Sequence, residues 1–328
     1  MFKKALSLVL CALLVLVPLT ACTENPNYDP NPKEKVTLVL DWTPNTNHTG
    51  LYAAQSLGYY ADAGLELEII QPPEDGALAL VAAGRAHFAV SFQEEVSMAC
   101  AASPALPIAA IAAMVEHNTC GIMSLKESGI TRFKDLEGKR FATWQVPVYD
   151  EIVKACIIAD GGDPDLVEFV PNSAMDAISG LRTEFDAIWV YEGWEKIIAD
   201  VEGVEINFFT FRDIDPTFDY YTPVLVTSET LLTSQQDLIK RFLAATEKGY
   251  LYAKENPAEA AEILSAAAPE VSKEIIAASQ AFLSAEYTSG ERWGAFEEAR
   301  WLGFFQWMRE KELLPNEPVF SGLAILEW

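Results

Sequence analysis

Apolar positions along this chain recur with two spacings, one suited to strands and one to helices. Residues 36–42 read as a strand, and 50–57 as a helix stopped by Gly58. Residues 65–70 open with strand-like alternation, 76–83 form a helix closed by Gly84, and 87–92 a further strand. A helix over 94–102 and an apolar strand over 108–115 complete this first series. A second begins near Ile130, with strands over 141–144, 166–170 and 186–190 and helices over about 150–159, 174–181 and 193–201. Residues 205–211 follow, and from Pro223 the chain offers one strand and then helices over 234–255, 257–267, 272–285 and 295–312. Strands alternating with helices of this length imply a mostly parallel α/β sheet with right-handed crossovers. Two similar α/β halves followed by a helical segment suggest a bilobed protein with a cleft between the halves. No internal repeat is visible.

Residues 1–22 break this pattern. Lys3 and Lys4 precede an apolar run over 5–19, the layout of an export signal. Leu19-Thr20-Ala21-Cys22 resembles a bacterial lipobox, with Cys22 as the lipidated residue. The alternatives are an ordinary signal peptide or a membrane anchor, for which the run is short of the ~20 residues a span requires. Residues 23–35, rich in Pro and Asn, read as a flexible tether. About 290 residues remain, enough for two modest domains or one large one. On this reading the chain is held at the outer face of a bacterial plasma membrane.

The formal net charge is −25, and loss of Lys3 and Lys4 takes it to −27. Nucleic-acid binding needs a basic footprint and is excluded. Beyond Cys11 and Cys22, the scattered Cys100, Cys120 and Cys156 form no C-x-x-C pair, so they read as buried free thiols rather than a metal site. Catalytic motifs are missing: there is no H-E-x-x-H, G-x-S-x-G, Walker A or G-x-G-x-x-G. Of the three histidines, His87 reads as structural, and His48 is open between ligand contact and helix capping. Binding, with no catalytic residue, metal or cofactor, is the better default.

Candidate chemistry gathers where strands end. The loop Asp41-Trp42-Thr43-Pro44-Asn45-Thr46-Asn47-His48-Thr49-Gly50 carries a carboxylate, an indole, amides and an imidazole between strand and helix. Ser91-Phe92-Gln93-Glu94-Glu95, Trp144-Gln145-Val146-Pro147-Val148-Tyr149-Asp150 and Trp189-Val190-Tyr191-Glu192-Gly193-Trp194 sit at later strand ends. Open α/β sheets hold ligands there. Flat π-faces with one or two carboxylates suit a planar, hydrogen-bonding heterocycle.

The first loop closely resembles the opening motif of the SsuA/THI5-like (NMT1) family, above all its ThiY-type branch of pyrimidine-precursor-binding lipoproteins of ABC importers. The resemblance continues through Gly58-Tyr59-Tyr60, Gly84-Arg85-Ala86-His87-Phe88, Asp135-Leu136-Glu137-Gly138-Lys139 and Asp186-Ala187-Ile188-Trp189-Val190-Tyr191-Glu192. It implies a type II periplasmic-binding-protein fold, with lobe I over 36–124 plus 223–328 and lobe II over 125–222. It implies capture of a thiamine-related aminopyrimidine by a monomer that delivers it to an ABC permease and its ATPase. It carries ligand roles onto Asp41, Trp42 and Asn45, and onto Glu192 as partner of the aminopyrimidine edge. His48, Ser91, Gln93, Tyr149, Tyr191, Trp194 and Tyr221 are further candidates, with Trp189, because side-chain alternation must send some of the aromatics into the core. Family relatives that synthesise the thiamine pyrimidine need a Lys, a His four residues later and a Cys-rich run. Those positions correspond here to Ser91, Glu95 and Tyr220-Tyr221-Thr222-Pro223-Val224. Receptors for riboflavin or a sulfonate are the remaining alternatives. No Arg lies in the four strand-end segments, which ranks an anion receptor last.

Overall fold

The computed structural model describes residues 33–73, 76–173, 176–318 and 320–328. The expected signal segment, the lipidated Cys22 and the tether up to residue 32 lie outside the described residues. The strands are β1 Glu34–Val39, β2 Leu65–Ile70, β3 Phe88–Ser91, β4 Ile108–Ala113 and β5 Cys120–Leu125. They continue with β6 Arg140–Thr143, β7 Glu168–Pro171, β8 Ala187–Tyr191, β9 Ile206–Thr210 and β10 Val224–Ser228. They form two five-stranded sheets, ordered β2-β1-β3-β10-β4 and β7-β6-β8-β5-β9.

The two sheets repeat one plan. In the first, β1 runs parallel to β2 and β3, and β10 inserts antiparallel between β3 and β4. In the second, β6 runs parallel to β7 and β8, and β5 inserts antiparallel between β8 and β9. Each antiparallel strand is the one the chain enters on crossing from the other lobe. The strand β5 lies in the second sheet, so the first crossover precedes Cys120 and does not fall at 124/125 as expected. Its Cys-Gly-Ile-Met-Ser run is buried on both faces, so it shows no alternation, and with Gly121 and Ser124 in it the run is not continuously apolar either, so it gives no strand signal. The strands β3 and β4, also buried on both faces, do read as apolar runs.

The helices of the first series are α1 Thr49–Ser56, α2 Tyr59–Asp62, α3 Ala77–Ala82 and α4 Gln93–Cys100. Those of the second are α5 Pro147–Ala159, α6 Ala177–Thr183 and α7 Ile197–Val201. After β10 come α8 Glu229–Ser234, α9 Gln236–Glu255, α10 Pro257–Ala267, α11 Lys273–Glu286 and α12 Glu298–Glu310. Helix α9 buries Phe242, Leu243 and Tyr250 against the β1–β3 face, where Phe88 and Phe242 stack with centroids 3.8 Å apart. Helix α12 divides its loyalties. Trp301 joins the first-sheet core, whereas Phe304 and Met308 join the second-sheet core with Phe141, Trp189 and Tyr220. The expectation that all of 223–328 serves lobe I is corrected there, because Phe304 stacks on Tyr220 of the return crossover at 4.0 Å. Cys100, Cys120 and Cys156 are buried and free. Among the described residues, no helix is long and apolar enough to cross a membrane, and no cluster of His, Cys, Asp and Glu could hold a metal ion.

Candidate ligand-binding site

Between the two sheets lies a cavity of about 310 Å³. Asp41, Trp42 and Asn45 reach it from the loop after β1, and Tyr149, Tyr191 and Trp194 from the second lobe. The structure therefore brings together residues that are far apart in sequence. Phe92, Trp144, Trp189 and Glu195 add to its lining. Leu283 of α11 and Thr119 of the first crossover reach it as well.

The first loop is braced by hydrogen bonds among its own polar groups. Asn45 Oδ1 accepts the backbone N–H of Asn47 at 2.9 Å, while its Nδ2 donates to the Thr43 carbonyl at 3.1 Å. His48 Nδ1 accepts the backbone N–H of Asn45 at 3.2 Å, completing a capping box. That bond leaves Nε2 to carry the hydrogen, 2.6 Å from Asp41 Oδ1. His48 is fully buried and does not reach the cavity. It caps the helical turn and aims Asp41, which resolves its two readings in favour of structure.

Four more candidate residues lie outside the cavity. Ser91 donates to Glu95 Oε2 at 2.7 Å. Gln93 donates to the Trp301 carbonyl at 2.8 Å and accepts the Tyr221 N–H at 3.0 Å, so it ties α4 to the return crossover. Tyr221 is buried beneath Arg300, whose guanidinium lies 3.9 Å from its ring centroid. Glu192 is the sharpest correction. It faces a separate depression shared with Lys126, Lys196 and Asp200. Burial raises its carboxyl, with Lys196 and Arg212 opposing.

The acid of the second lobe that does line the cavity, opposite Asp41, is Glu195. Residues Glu192–Lys196 form a π-helical turn ahead of α7. The wide turn sends Glu192 outward and brings Gly193, Trp194 and Glu195 to the cleft. Glu195 Oε2 accepts the backbone N–H of Tyr191 at 2.9 Å, and burial raises its carboxyl against that bond. A sequence reading that assumes a regular helix start picks the acid three residues too early. The missed signal is the second acid of Tyr191-Glu192-Gly193-Trp194-Glu195.

Acids also underlie the floor. Glu94 is buried on α4, and Tyr149 of the other lobe donates its hydroxyl to Glu94 Oε1 at 2.9 Å. Burial, with the charge of Glu95 added, pushes the Glu94 carboxyl up to about 8. Burial raises Glu95 as well, Ser91 opposing and Asp41 adding to the rise. Among the described lining residues there is no Lys, Arg or His. Trp42 and Trp144 are 54% and 53% exposed, one from each lobe, unusual for residues so apolar. The backbone at Gln145 is left-handed, φ 58°, which is uncommon without glycine and is tied down by a bond from its N–H to Thr143 Oγ1 at 3.0 Å. That turn presents Trp144. The arrangement can stack a flat ring and accept its N–H donors, and it offers nothing cationic to an anion.

The molecule is similar to known proteins at two levels. A formylaminopyrimidine-binding protein from Halalkalibacterium halodurans is 31% identical over 78% of this chain and 77% of its own length. A 4-amino-5-hydroxymethyl-2-methylpyrimidine phosphate synthase from Legionella pneumophila is 29% identical over 73% of this chain and 75% of its own. In fold, the periplasmic aliphatic sulphonate binding protein SsuA from Escherichia coli superposes with a TM-score of 0.69 at 12% identity, covering 90% of this chain and 94% of that one. The architecture is thus a periplasmic-binding-protein fold. The family model described as NMT1/THI5 like matches residues 45–260, from the asparagine of the first loop into α10. A sequence match that begins in the cleft and runs through both sheets goes further than likeness of fold: the chain belongs to the NMT1/THI5 like family.

Proposed function

We propose that this protein is the substrate-binding component of an ABC importer and captures a thiamine-related aminopyrimidine of the formylaminopyrimidine or hydroxymethylpyrimidine type. The observation that carries the reading is the cavity itself, in which indole and phenol rings surround Asp41 and Glu195 with no cation among the described lining residues. An aminopyrimidine presents a flat face for stacking and amino hydrogens for a carboxylate. Each ring contact contributes about 0.5–1.5 kcal/mol beyond burial, and a charge-assisted hydrogen bond about 1.5–3 kcal/mol. Asp41, Trp42 and Asn45 act from one lobe, with Tyr149, Tyr191, Trp194 and Glu195 from the other. The relative from H. halodurans, named for binding formylaminopyrimidine, supports the choice of ligand. Export and lipid anchoring through Cys22 at the outer face of the plasma membrane are part of the proposal and rest on residues 1–22.

A second reading, pyrimidine synthesis, is favoured by the relative from L. pneumophila. It requires an amine for a Schiff base where this chain has Ser91, and a histidine where it has Glu95, and these two side chains bond to each other. A sulfonate receptor would have to bind an anion beside Asp41 and Glu195 without a basic partner among the described lining residues. Calorimetric titration of the purified protein with formylaminopyrimidine, pyridoxal phosphate and an alkanesulfonate separates the three. Only the first should bind. A Schiff-base absorbance with pyridoxal phosphate, followed by pyrimidine formation and loss of a histidine, would instead establish the synthase.

A further inference from the structure

The cleft does not end at the first cavity. A second, of about 250 Å³, adjoins it, and Trp42, Trp144, Trp189, Val190, Trp194 and Glu195 line both. Its far wall comes from α6 and α7 and the residues at their ends, with apolar Ile178 and Ile198 and acidic Asp176 and Glu202. A single substituted pyrimidine ring fits within the first cavity. Ligand pockets commonly start at about 300 Å³, so the second chamber is room that the one-ring ligand does not use.

Its chemistry is specific. Indole faces attract cations, most of all where the cation is partly desolvated. Here the two half-exposed tryptophans are shared walls of both chambers. Asp176 caps α6, accepting the Ser179 backbone N–H at 2.8 Å and the Ser179 hydroxyl at 2.8 Å. Those bonds hold its carboxyl below the usual range, so its charge is fixed. Glu202, at the end of α7, is exposed. No Lys, Arg or His stands among the described lining residues, although the charge of Arg182 acts on Asp176 from outside the chamber.

We propose that this second chamber, walled by Trp42, Trp144 and Trp194 and edged by Asp176 and Glu202, is a subsite for a cationic heteroaromatic ring joined by a short link to the pyrimidine. The cleft then takes a two-ring compound as well as the one-ring fragment. The inference rests on the aminopyrimidine reading of the first chamber.

Three probes test it by calorimetry on the purified protein: hydroxymethylpyrimidine, thiamine, and the thiamine analogue with neutral thiophene in place of the cationic thiazolium. Thiamine should bind at least about tenfold more tightly than the thiophene analogue, about 1.4 kcal/mol. The double variant D176N/E202Q should remove most of that preference and leave the Kd for hydroxymethylpyrimidine unchanged. Asparagine caps helices as well as aspartate does, so α6 keeps its start. Equal Kd values for the two analogues overturn the subsite, as does a charge preference that survives in the double variant. Binding of hydroxymethylpyrimidine with exclusion of both two-ring compounds also overturns it, while leaving the aminopyrimidine reading intact. If none of the three binds, the subsite falls, and titration with formylaminopyrimidine decides whether the aminopyrimidine reading falls with it.

Discussion

Glu94 sits under the cleft with one carboxylate oxygen held by Tyr149 and the other buried with no hydrogen-bond partner among the described residues. An ionised carboxylate in that position would be costly. Its pKa rises from the ordinary 4.5 to about 8, so between those values the folded chain keeps a proton that the unfolded chain releases. Stability should therefore fall as pH rises across that window, at up to about 1.4 kcal/mol per pH unit for a single group. Glu94→Gln keeps the shape and carries no charge. Its melting temperature at pH 8 should exceed that of the unaltered protein, and its stability between pH 5 and pH 8, about the range named above, should vary less. Glu95 and Glu195, also raised by burial, leave a smaller residual slope. A variant curve merely shifted in parallel would show that Glu94 does not titrate in this range. At this scale the sequence was legible where chemistry is contiguous. Asp41, Trp42 and Asn45 lie within one loop, and all three reach the cavity. It was illegible where a turn decides direction, as with Glu192 and Glu195, or where a polar residue such as Gln93 or His48 serves a hidden backbone group.

Two glycines fix the packing of α1 on α9. A Cβ at Gly249 would lie 2.0 Å from the Gly50 carbonyl oxygen, and one at Gly50 would lie 2.3 Å from the Tyr250 ring. The α1 helix begins at the end of the cleft loop, and Tyr250 donates its hydroxyl to the Asn47 carbonyl at 2.7 Å. Gly249→Ala should therefore cost about 1–3 kcal/mol by overpacking and lower the melting temperature by several degrees. Gly303→Ala, in α12 where a Cβ meets open space, should be neutral or stabilising. Equal effects of the two would remove close approach as the cause. The π turn before α7 is held in a related way. Gly193 faces Leu283 of α11, where a Cβ would sit 3.0 Å from it, and Ser279 of the same helix donates to the Gly193 carbonyl. Gly193→Ala should displace the turn and with it Glu195, weakening pyrimidine binding more than stability. Calorimetry and thermal unfolding measured together would show the difference. Elements with clear periodicity, such as β2 and α9, are readable from sequence. The strand β5 and the π turn are not, since one neither alternates nor forms a continuous apolar run and the other departs from the helical period.

Among the described residues, two copies of one sheet plan meet at the cavity. Contacts already cross between them. Ser279 links Thr46 of the first loop, at 2.5 Å, to the Gly193 carbonyl of the π turn, and Tyr149 reaches Glu94. A ligand that touches both lobes favours their closed arrangement by its differential affinity. Trp42 and Trp144, half exposed on opposite lobes, should lose water as it binds, giving a blue shift in tryptophan fluorescence that the W42F/W144F double variant lacks. The bilobed plan was legible because β–α alternation restarts near Ile130. The crossover position and the split packing of α12 depend on long-range contacts that no local pattern records. The central claim is that a ring is held between Asp41 on one lobe and Glu195 on the other. Its most direct test is calorimetric titration of formylaminopyrimidine into the purified protein and the variants E195Q and E192Q. The account predicts saturable binding, weakened about tenfold or more in E195Q, about 1.4 kcal/mol, and unchanged in E192Q. Absence of binding, or a loss confined to E192Q, would contradict it.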